Sequence, residues 1–270
     1  MKDIHAYSLY SGSTGNAFLL DVRGTCILID AGKSAKTLCQ ALSACGHTPE
    51  DISAVFITHE HSDHIKALPV FLKKHPIPVH LPAGCAYKLE CEPSVAELLV
   101  PHPPIHTEEL NGIRISSFPT PHDSQCSVGY RIEIPTENGI YRIGFATDIG
   151  HISSAVEENL TGCHAVVLES NHDPDMLEYG PYPYDLKRRV ASKRGHLSNP
   201  DSACLAARLC AGCTRTVMLA HLSQENNTPD TAYSEHLSQL ADEKIHLCVA
   251  EPDIVVEMEL EEICSCSTSH

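Results

Sequence analysis

Positive charge is scarce in this sequence. Its 270 residues carry 19 Lys and Arg against 35 Asp and Glu, a formal net charge of −16 at pH 7, which argues against a protein that holds nucleic acid through a broadly basic surface. That balance still leaves room for a local polyanion site, because bound divalent ions are the largest charges wherever their ligands converge. Long apolar runs are also missing. No stretch approaches the roughly eighteen residues of a membrane span, and Met1 to His5 leads into no apolar signal-peptide core, so the expectation is a cytoplasmic protein with no membrane partner. Linkers, low-complexity tracts and short-period repeats are absent too. Residues 1–261 therefore read as one domain, with 262–270 a loose tail. The 13 cysteines are odd in number and mostly embedded in apolar segments, as with Cys26, Cys39, Cys45 and Cys248, which excludes a disulfide framework and indicates reduced buried thiols. The pairs Cys210/Cys213 and Cys264/Cys266 have no partner pair at zinc-ribbon spacing and are given no role.

Histidine, by contrast, is plentiful: there are 18, and three of them fall with two carboxylates inside His59-Glu60-His61-Ser62-Asp63-His64. Such density makes sense chiefly as metal ligation. The motif follows the apolar, β-branched run Ser53 to Ile57 and precedes Ile65 to Leu72, whose spacing suits a helix apart from Pro69 near its start. It therefore sits on a strand-to-helix turn. His59 and His61, two apart on extended chain, point to one side, while Asp63 and His64 open the helix and turn to a point a few Å away. That geometry offers two metal pockets, and the competing reading is a solvated polar loop.

In chain order, Ile4 to Tyr10, Ala17 to Val22 and Thr25 to Asp30 look like strands. The Ser11 to Asn16 turn between the first two is either a phosphate cradle of backbone N–H groups or a tight hairpin. Ser34 to Cys45 reads as a helix stopped by Gly46. Pro78 to Leu81 and a short Ala83 to Cys91 helix follow the histidine motif. Further strands are expected at 113–118, 128–134, 140–147, 165–168 and 216–220, with helices at 152–160 and 202–210. Apolar runs repeatedly end on a ligand type: 54–58 at His59, 113–121 at His122, 140–147 at Asp148, 165–171 at His172 and 216–220 at His221. In sheets flanked by helices, ligands gather beyond the carboxyl ends of strands, so these groups can converge although far apart in sequence.

This succession resembles the metallo-β-lactamase-fold hydrolases, whose motifs run HxHxDH, a lone His, a bridging Asp and a final His. The resemblance spans nearly the whole chain. It implies an α/β four-layer αββα sandwich with one metal on His59, His61 and His122, a second on Asp63, His64 and His221, and Asp148 bridging both. Asp at the bridging position, where the true β-lactamases carry Cys, indicates the wider hydrolase group. The finer motifs Ser11 to Asn16, Pro119 to Asp123, Ala146 to Asp148, Glu169 to Asp173, His196 to Asn199 and His221 to Asn227 are similar to the YycJ (WalJ) family, regarded as metal-dependent 5′-to-3′ exonucleases on DNA. Gly195-His196-Leu197-Ser198 also resembles the motif in which ribonuclease Z places its proton-transfer histidine. The chain has no room for the inserted β-CASP domain of ribonuclease J and lacks the protruding arm of ribonuclease Z.

Two divalent ions would lower the pKa of water toward neutrality and polarise a phosphoryl oxygen, so that hydroxide attacks phosphorus. Asp63 is the candidate acceptor of its proton, and His196 the general acid at the leaving oxygen. His172 is a second residue expected to contact phosphate. His/Asp ligation suits zinc, manganese or iron alike, with manganese the expectation for a nuclease and zinc the fallback. The segment Lys187 to Arg194 holds five of the 19 basic residues just before His196. It reads either as a phosphate-binding strip, with Arg188, Arg189, Lys193 and Arg194 joined by Ser198 and Asn199, or as a solvated helix face. Other functions of the same fold are a small-molecule phosphodiesterase and a thioester or lactone hydrolase. A non-catalytic metal-binding scaffold would leave His196 unexplained.

Overall fold

The structure is a computed structural model, and it describes residues 3–90, 93–240 and 244–261. The chain begins with an antiparallel meander of β1 (Ile4–Tyr10), β2 (Ala17–Val22) and β3 (Thr25–Ile29). Helix α1 (Ala35–Ala44) then carries it over to β4 (Ile52–Phe56), which lies parallel to β3. Two one-turn helices, α2 (Ser62–Ile65) and α3 (Leu68–Phe71), lead to β5 (Val79–Pro82); α4 (Pro93–Ala96) precedes β6 (Leu99–His102). The chain then crosses to a second sheet and repeats the plan. Strands β7 (His106–Leu110), β8 (Ile113–Pro119), β9 (Val128–Thr136) and β10 (Gly139–Ala146) are antiparallel. They are followed, by way of α5 (Ser154–Leu160), by parallel β11 (Ala165–Glu169). Next come α6 (Pro174–Tyr179), α7 (Tyr184–Val190), α8 (Asn199–Cys210), β12 (Thr216–Ala220), α9 (Pro229–Gln239) and β13 (His246–Val249); β14 (Val256–Glu257) returns beside β1. The result is two seven-stranded sheets, ordered β14-β1-β2-β3-β4-β5-β6 and β13-β12-β11-β10-β9-β8-β7.

Side-chain alternation sorts these strands among three apolar cores. Along β2, Phe18, Leu20 and Val22 enter the core between the sheets while Ala17 and Leu19 enter the one beneath the helices of the first half. Along β11, Ala165 and Val167 join the central core and Val166 and Leu168 pack under the helices of the second half. A strand covered on both faces has no polar face, so β3, β11 and β12, buried throughout, read as continuous apolar runs. Three cores separate four layers, and the αββα sandwich expected from sequence is what the chain forms. No helix among the described residues is long and apolar enough to cross a membrane.

Two sequence expectations need correction. Residues 65–72 do not form one helix; the chain breaks between α2 and α3, with Pro69 at the start of the second turn, because proline tolerates only a first helical turn. The helix expected from Ala83 to Cys91 is a 3₁₀ turn over Ala83–Lys88. Cys91, Cys264, Cys266 and the tail 262–270 lie outside the described residues.

Candidate metal centre

The site forms where strands of the two sheets end. Just past β4, residues 57 and 58 lead into His59, and His61 caps the N-terminus of α2, which places Asp63 and His64 in its first turn. His122 follows β8, Asp148 follows β10 and His221 follows β12. Asp148 and His221 take positive φ, 58° and 57°, a left-handed turn that L residues adopt at a cost and that swings the side chains back over the strand ends.

Ligand-type atoms of His59, His61 and His122 form one set within 4.8 Å of one another, and those of Asp63, His64 and His221 a second; His59, His64 and Asp148 overlap both. Within these sets His61 Nδ1 lies 3.3 Å from His122 Nε2. His64 Nε2 lies 3.4 Å from Asp63 Oδ2 and 3.4 Å from Asp148 Oδ2. His221 Nε2 lies 3.5 Å from Asp63 Oδ2 and 3.6 Å from Asp148 Oδ1. Such spacings are long for hydrogen bonds and match the edge, about 3.4 Å, of a tetrahedron of donors at ~2.1 Å from a central ion. His59 Nε2 and Asp148 Oδ2 are buried without a hydrogen-bond partner. Buried polar atoms are seldom left so, and both belong to the donor sets. The residues present fit two divalent ions.

Behind four of the five imidazoles stands a group that fixes the ring. His64 Nδ1 contacts Asp30 Oδ2 at 2.7 Å, His59 Nδ1 contacts Thr58 Oγ1 at 3.0 Å, His122 Nδ1 donates to the Gly195 carbonyl at 3.0 Å, and His221 Nδ1 contacts Glu169 Oε1 at 3.0 Å. Outer contacts of this kind select the tautomer that leaves the other nitrogen free for a metal. Sequence reading missed Asp30 and Glu169 as functional residues. Asp30, fully buried with φ 61°, also accepts from the Thr58 backbone N–H and hydroxyl. Glu169, equally buried, accepts from His196 Nδ1 at 2.8 Å and from the backbone N–H groups of Ile149 and Leu197.

The charges follow from this packing. Burial alone would raise the Asp63 carboxyl, but His64 and His221 beside it hold it far below the usual range. Asp148 and Glu169 are likewise depressed against burial by their histidine neighbours. Burial disfavours charge on His221, yet Asp148, Asp63 and Glu169 win and lift it to about 10. His59, with mostly imidazoles around it, is pushed well down by burial and by their charges. One pocket is thus anionic enough to hold positive charge even as protons, while in the other burial keeps His59 and His122 below their ordinary range.

The Ser11 to Asn16 turn braces this site. Asn16 N–H donates to the Asp63 carbonyl and the Ser11 hydroxyl accepts from His221 N–H, while a Cβ at Gly32 would stand 1.6 Å from that same Asp63 carbonyl. His196 lies at the opening, its side chain 20% exposed beside fully buried Glu169. His172 is nearly buried with Nδ1 unpartnered, and burial pushes it down to about 4. Arg188 and Lys193 are exposed. Arg189 pairs with Asp123, next to His122. Arg194, Ser198 and Asn199 each have partners within the chain. Arg194 spends its guanidinium on the carbonyls of His122 and Ser124. Ser198 caps α8 through Asp201, and Asn199, with no exposed surface, bonds to Ser170 and Asn227.

The Beta-lactamase superfamily domain matches residues 25–222. The chain is 33% identical over 250 residues to the Exodeoxyribonuclease YycJ of Bacillus anthracis, covering 89% of this chain and 90% of that one. It is 32% identical over 237 residues to the Exodeoxyribonuclease WalJ of Streptococcus pneumoniae, covering 86% and 87%. Among solved structures, the metallo-β-lactamase fold protein YhfI of Bacillus subtilis superposes with a TM-score of 0.71 over 94% of this chain and 99% of its own, at 14% identity, a likeness of fold alone. With this sandwich and this set of His and Asp donors, the chain belongs to the β-lactamase superfamily, alongside the YycJ and WalJ proteins, and is a metal-dependent hydrolase.

Proposed function

We propose that the protein is a nuclease that hydrolyses phosphodiester bonds, releasing nucleotides from the 5′ end of DNA. The observation that carries this reading is His196, held by Glu169 Oε1 at 2.8 Å at the exposed lip of two pockets that share Asp148. A hydrolase of activated esters needs no separate acid at the leaving group, whereas an alkoxide leaving from phosphorus does. The names of the curated relatives supply DNA and the exonuclease mode.

Seven side chains would hold the ions in this reading: His59, His61 and His122 for one, Asp63, His64 and His221 for the other, with Asp148 available to both. Divalent ions there supply Lewis acidity toward a phosphoryl oxygen and a lowered pKa for water. Asp63, whose side chain is 22% exposed where Asp148 is at 2%, faces solvent and takes the proton of the attacking water. Glu169 fixes the His196 tautomer through Nδ1, which leaves Nε2 to deliver a proton to the departing sugar oxygen. Arg188 and Lys193 present positive charge beside this opening and align phosphates.

End-labelled single and double strands of DNA and RNA, incubated with manganese- or zinc-loaded protein, test the proposal. Mononucleotide release from 5′-labelled DNA is the expected result. Brisk hydrolysis of a cyclic nucleotide, thioester or lactone with no release from any strand rejects the nuclease in favour of the small-molecule alternative.

A further inference from the structure

The segment between His172 and His196 leaves the candidate metal centre and comes back to it. Its two ends lie side by side: the Leu197 carbonyl accepts from Asn171 N–H and the His172 carbonyl from Asn199 N–H, so that His172 is bridged to Ser198. Helix α6 runs out along this excursion and α7 runs back, tied together by Lys187 Nζ on the Glu178 carbonyl. The return is fixed to the centre twice. Arg189 pairs with Asp123, the neighbour of His122. The Val190 carbonyl accepts from His196 N–H, across a contact so close that a Cβ at Gly195 would stand 2.1 Å from that oxygen.

The turn of this helical pair is Tyr179-Gly180-Pro181-Tyr182-Pro183-Tyr184, which holds three of the nine tyrosines in a chain with no tryptophan. All five phenylalanines are buried. Tyr179 and Tyr184 instead leave 81% and 72% of their surface exposed. Rings this bare bury little apolar area, so packing does not account for them. The prolines on either side of Tyr182 restrict the turn that carries them. Arg188, one turn along α7 from Tyr184, sets its guanidinium 5.8 Å from the centre of that ring. With Lys193, also exposed, it puts positive charge on the same excursion. Exposed aromatic faces beside exposed cations are the combination that holds a single nucleic-acid strand, its bases stacked on the rings and its phosphates on the charges.

We propose, on the footing of the nuclease reading, that Tyr179 and Tyr184 form a stacking platform for unpaired bases of the substrate strand, with Arg188 and Lys193 on the adjoining phosphates. In a duplex the base faces are covered by neighbouring pairs, so the platform takes bases that have left the stack. It thereby separates a strand with free bases from an intact duplex and from a small phosphodiester. Stacking releases no phosphate counterions, so its share of binding is insensitive to salt, unlike the share carried by the two cations.

The test measures binding of two single DNA strands of equal length to the metal-loaded full chain, one with its bases and one abasic, both with phosphorothioate linkages that resist hydrolysis. Wild type should bind the strand with bases at least about 10-fold more tightly, since one stacked base is worth roughly 5- to 150-fold. In Tyr179→Ala/Tyr184→Ala, its fold checked by circular dichroism, that preference should fall toward parity with the salt slope unchanged, and Tyr179→Phe/Tyr184→Phe should keep it. If the Ala double variant misfolds, Tyr184→Ala alone carries the comparison. Equal binding of the two strands by wild type overturns the platform, as does a preference that survives the Ala variant. Either result leaves the nuclease reading standing as long as wild type releases nucleotides from labelled DNA, whereas no binding and no release remove both together. An Ala variant that self-associates less than wild type while keeping the base preference gives the rings to a second copy of the chain, and the platform is again overturned.

Discussion

His196 depends on a residue that touches no substrate. Glu169 receives Nδ1 of both His196 and His221 through one oxygen, so the proposed acid and a proposed ligand are positioned by the same carboxylate. Removing the imidazole while leaving Glu169 in place isolates the chemical role. His196→Ala should keep its bound metal and its fold yet turn over DNA about 10² to 10⁴ times more slowly, the usual range for a lost general acid. A p-nitrophenyl phosphodiester, whose leaving group needs no proton, should escape most of that loss. If the variant is equally impaired on both substrates relative to wild type, the acid role is wrong. The donor residues themselves were legible because they crowd one motif or end apolar runs. Asp30 and Glu169 obeyed the same strand-end pattern, one just past β3 and the other closing β11, but their partners lie 34 and 52 residues away. No local spacing joins an acid to a histidine at that range. Asn199, three residues after His196 in sequence, turns inward to Ser170 and Asn227, an orientation that sequence spacing does not reveal.

At the scale of elements, α8 and α9 show how a buried polar group ties helix to helix. His236 on α9 has no exposed surface; its Nδ1 donates to the Ala232 carbonyl and its Nε2 accepts from the Ser202 hydroxyl on α8. Burial holds this imidazole below its ordinary range, so the unfolded chain takes up a proton near pH 6.5 before the folded one does. Its contribution to stability is therefore complete above about pH 6.5 and is lost as pH falls through the lower folded value. In urea titrations from pH 7.5 downward, wild type should lose stability more steeply than His236→Leu, by at most about 1.4 kcal/mol per pH unit. At pH 7.5 the variant should start lower by about 1 to 3 kcal/mol because Ser202 loses its partner, and the gap should narrow as pH falls. Parallel slopes would remove His236 from the acid response. Strands β3, β11 and β12 were readable from sequence because both faces are buried. Strands β6, β7 and β13, at or near the sheet edges, are half-exposed along their length, and a half-wetted edge strand carries no clean apolar signal. Helix α8 starts at Asn199, three residues before the apolar run suggested, because Ser198 caps it and Pro200 fits its first turn.

For the whole molecule, the question is how a chain of net charge −16 would hold the proposed polyanionic substrate. The sandwich brings the carboxyl ends of strands from both halves to one place, where bound ions would invert the local sign, and sets α7 beside that place. Not all of the basic run is available. Lys187 donates to the Glu178 carbonyl, Arg194 to the carbonyls of His122 and Ser124, and Arg189 pairs with Asp123, which leaves Arg188 and Lys193 as the exposed cations of this run with neither a carboxylate nor a carbonyl partner among the described residues. If these two meet phosphates, oligonucleotide binding weakens linearly in log salt, and Arg188→Ala/Lys193→Ala should flatten that slope by about 1.4 to 1.8, at roughly 0.7 to 0.9 per phosphate contact. KM for oligonucleotides should rise while turnover of a small phosphodiester stays unchanged. Arg194→Ala should behave differently. Its guanidinium holds the backbone of His122, so the variant should lose turnover on the small substrate as well, with little change in slope. Fluorescence anisotropy across a salt series measures the slopes, and stopped assays on both substrates measure the rest. A double variant with the wild-type slope would place strand binding elsewhere on the molecule, whereas a flattened slope with intact small-substrate turnover assigns α7 and the segment after it to holding the strand and leaves the chemistry to the strand ends.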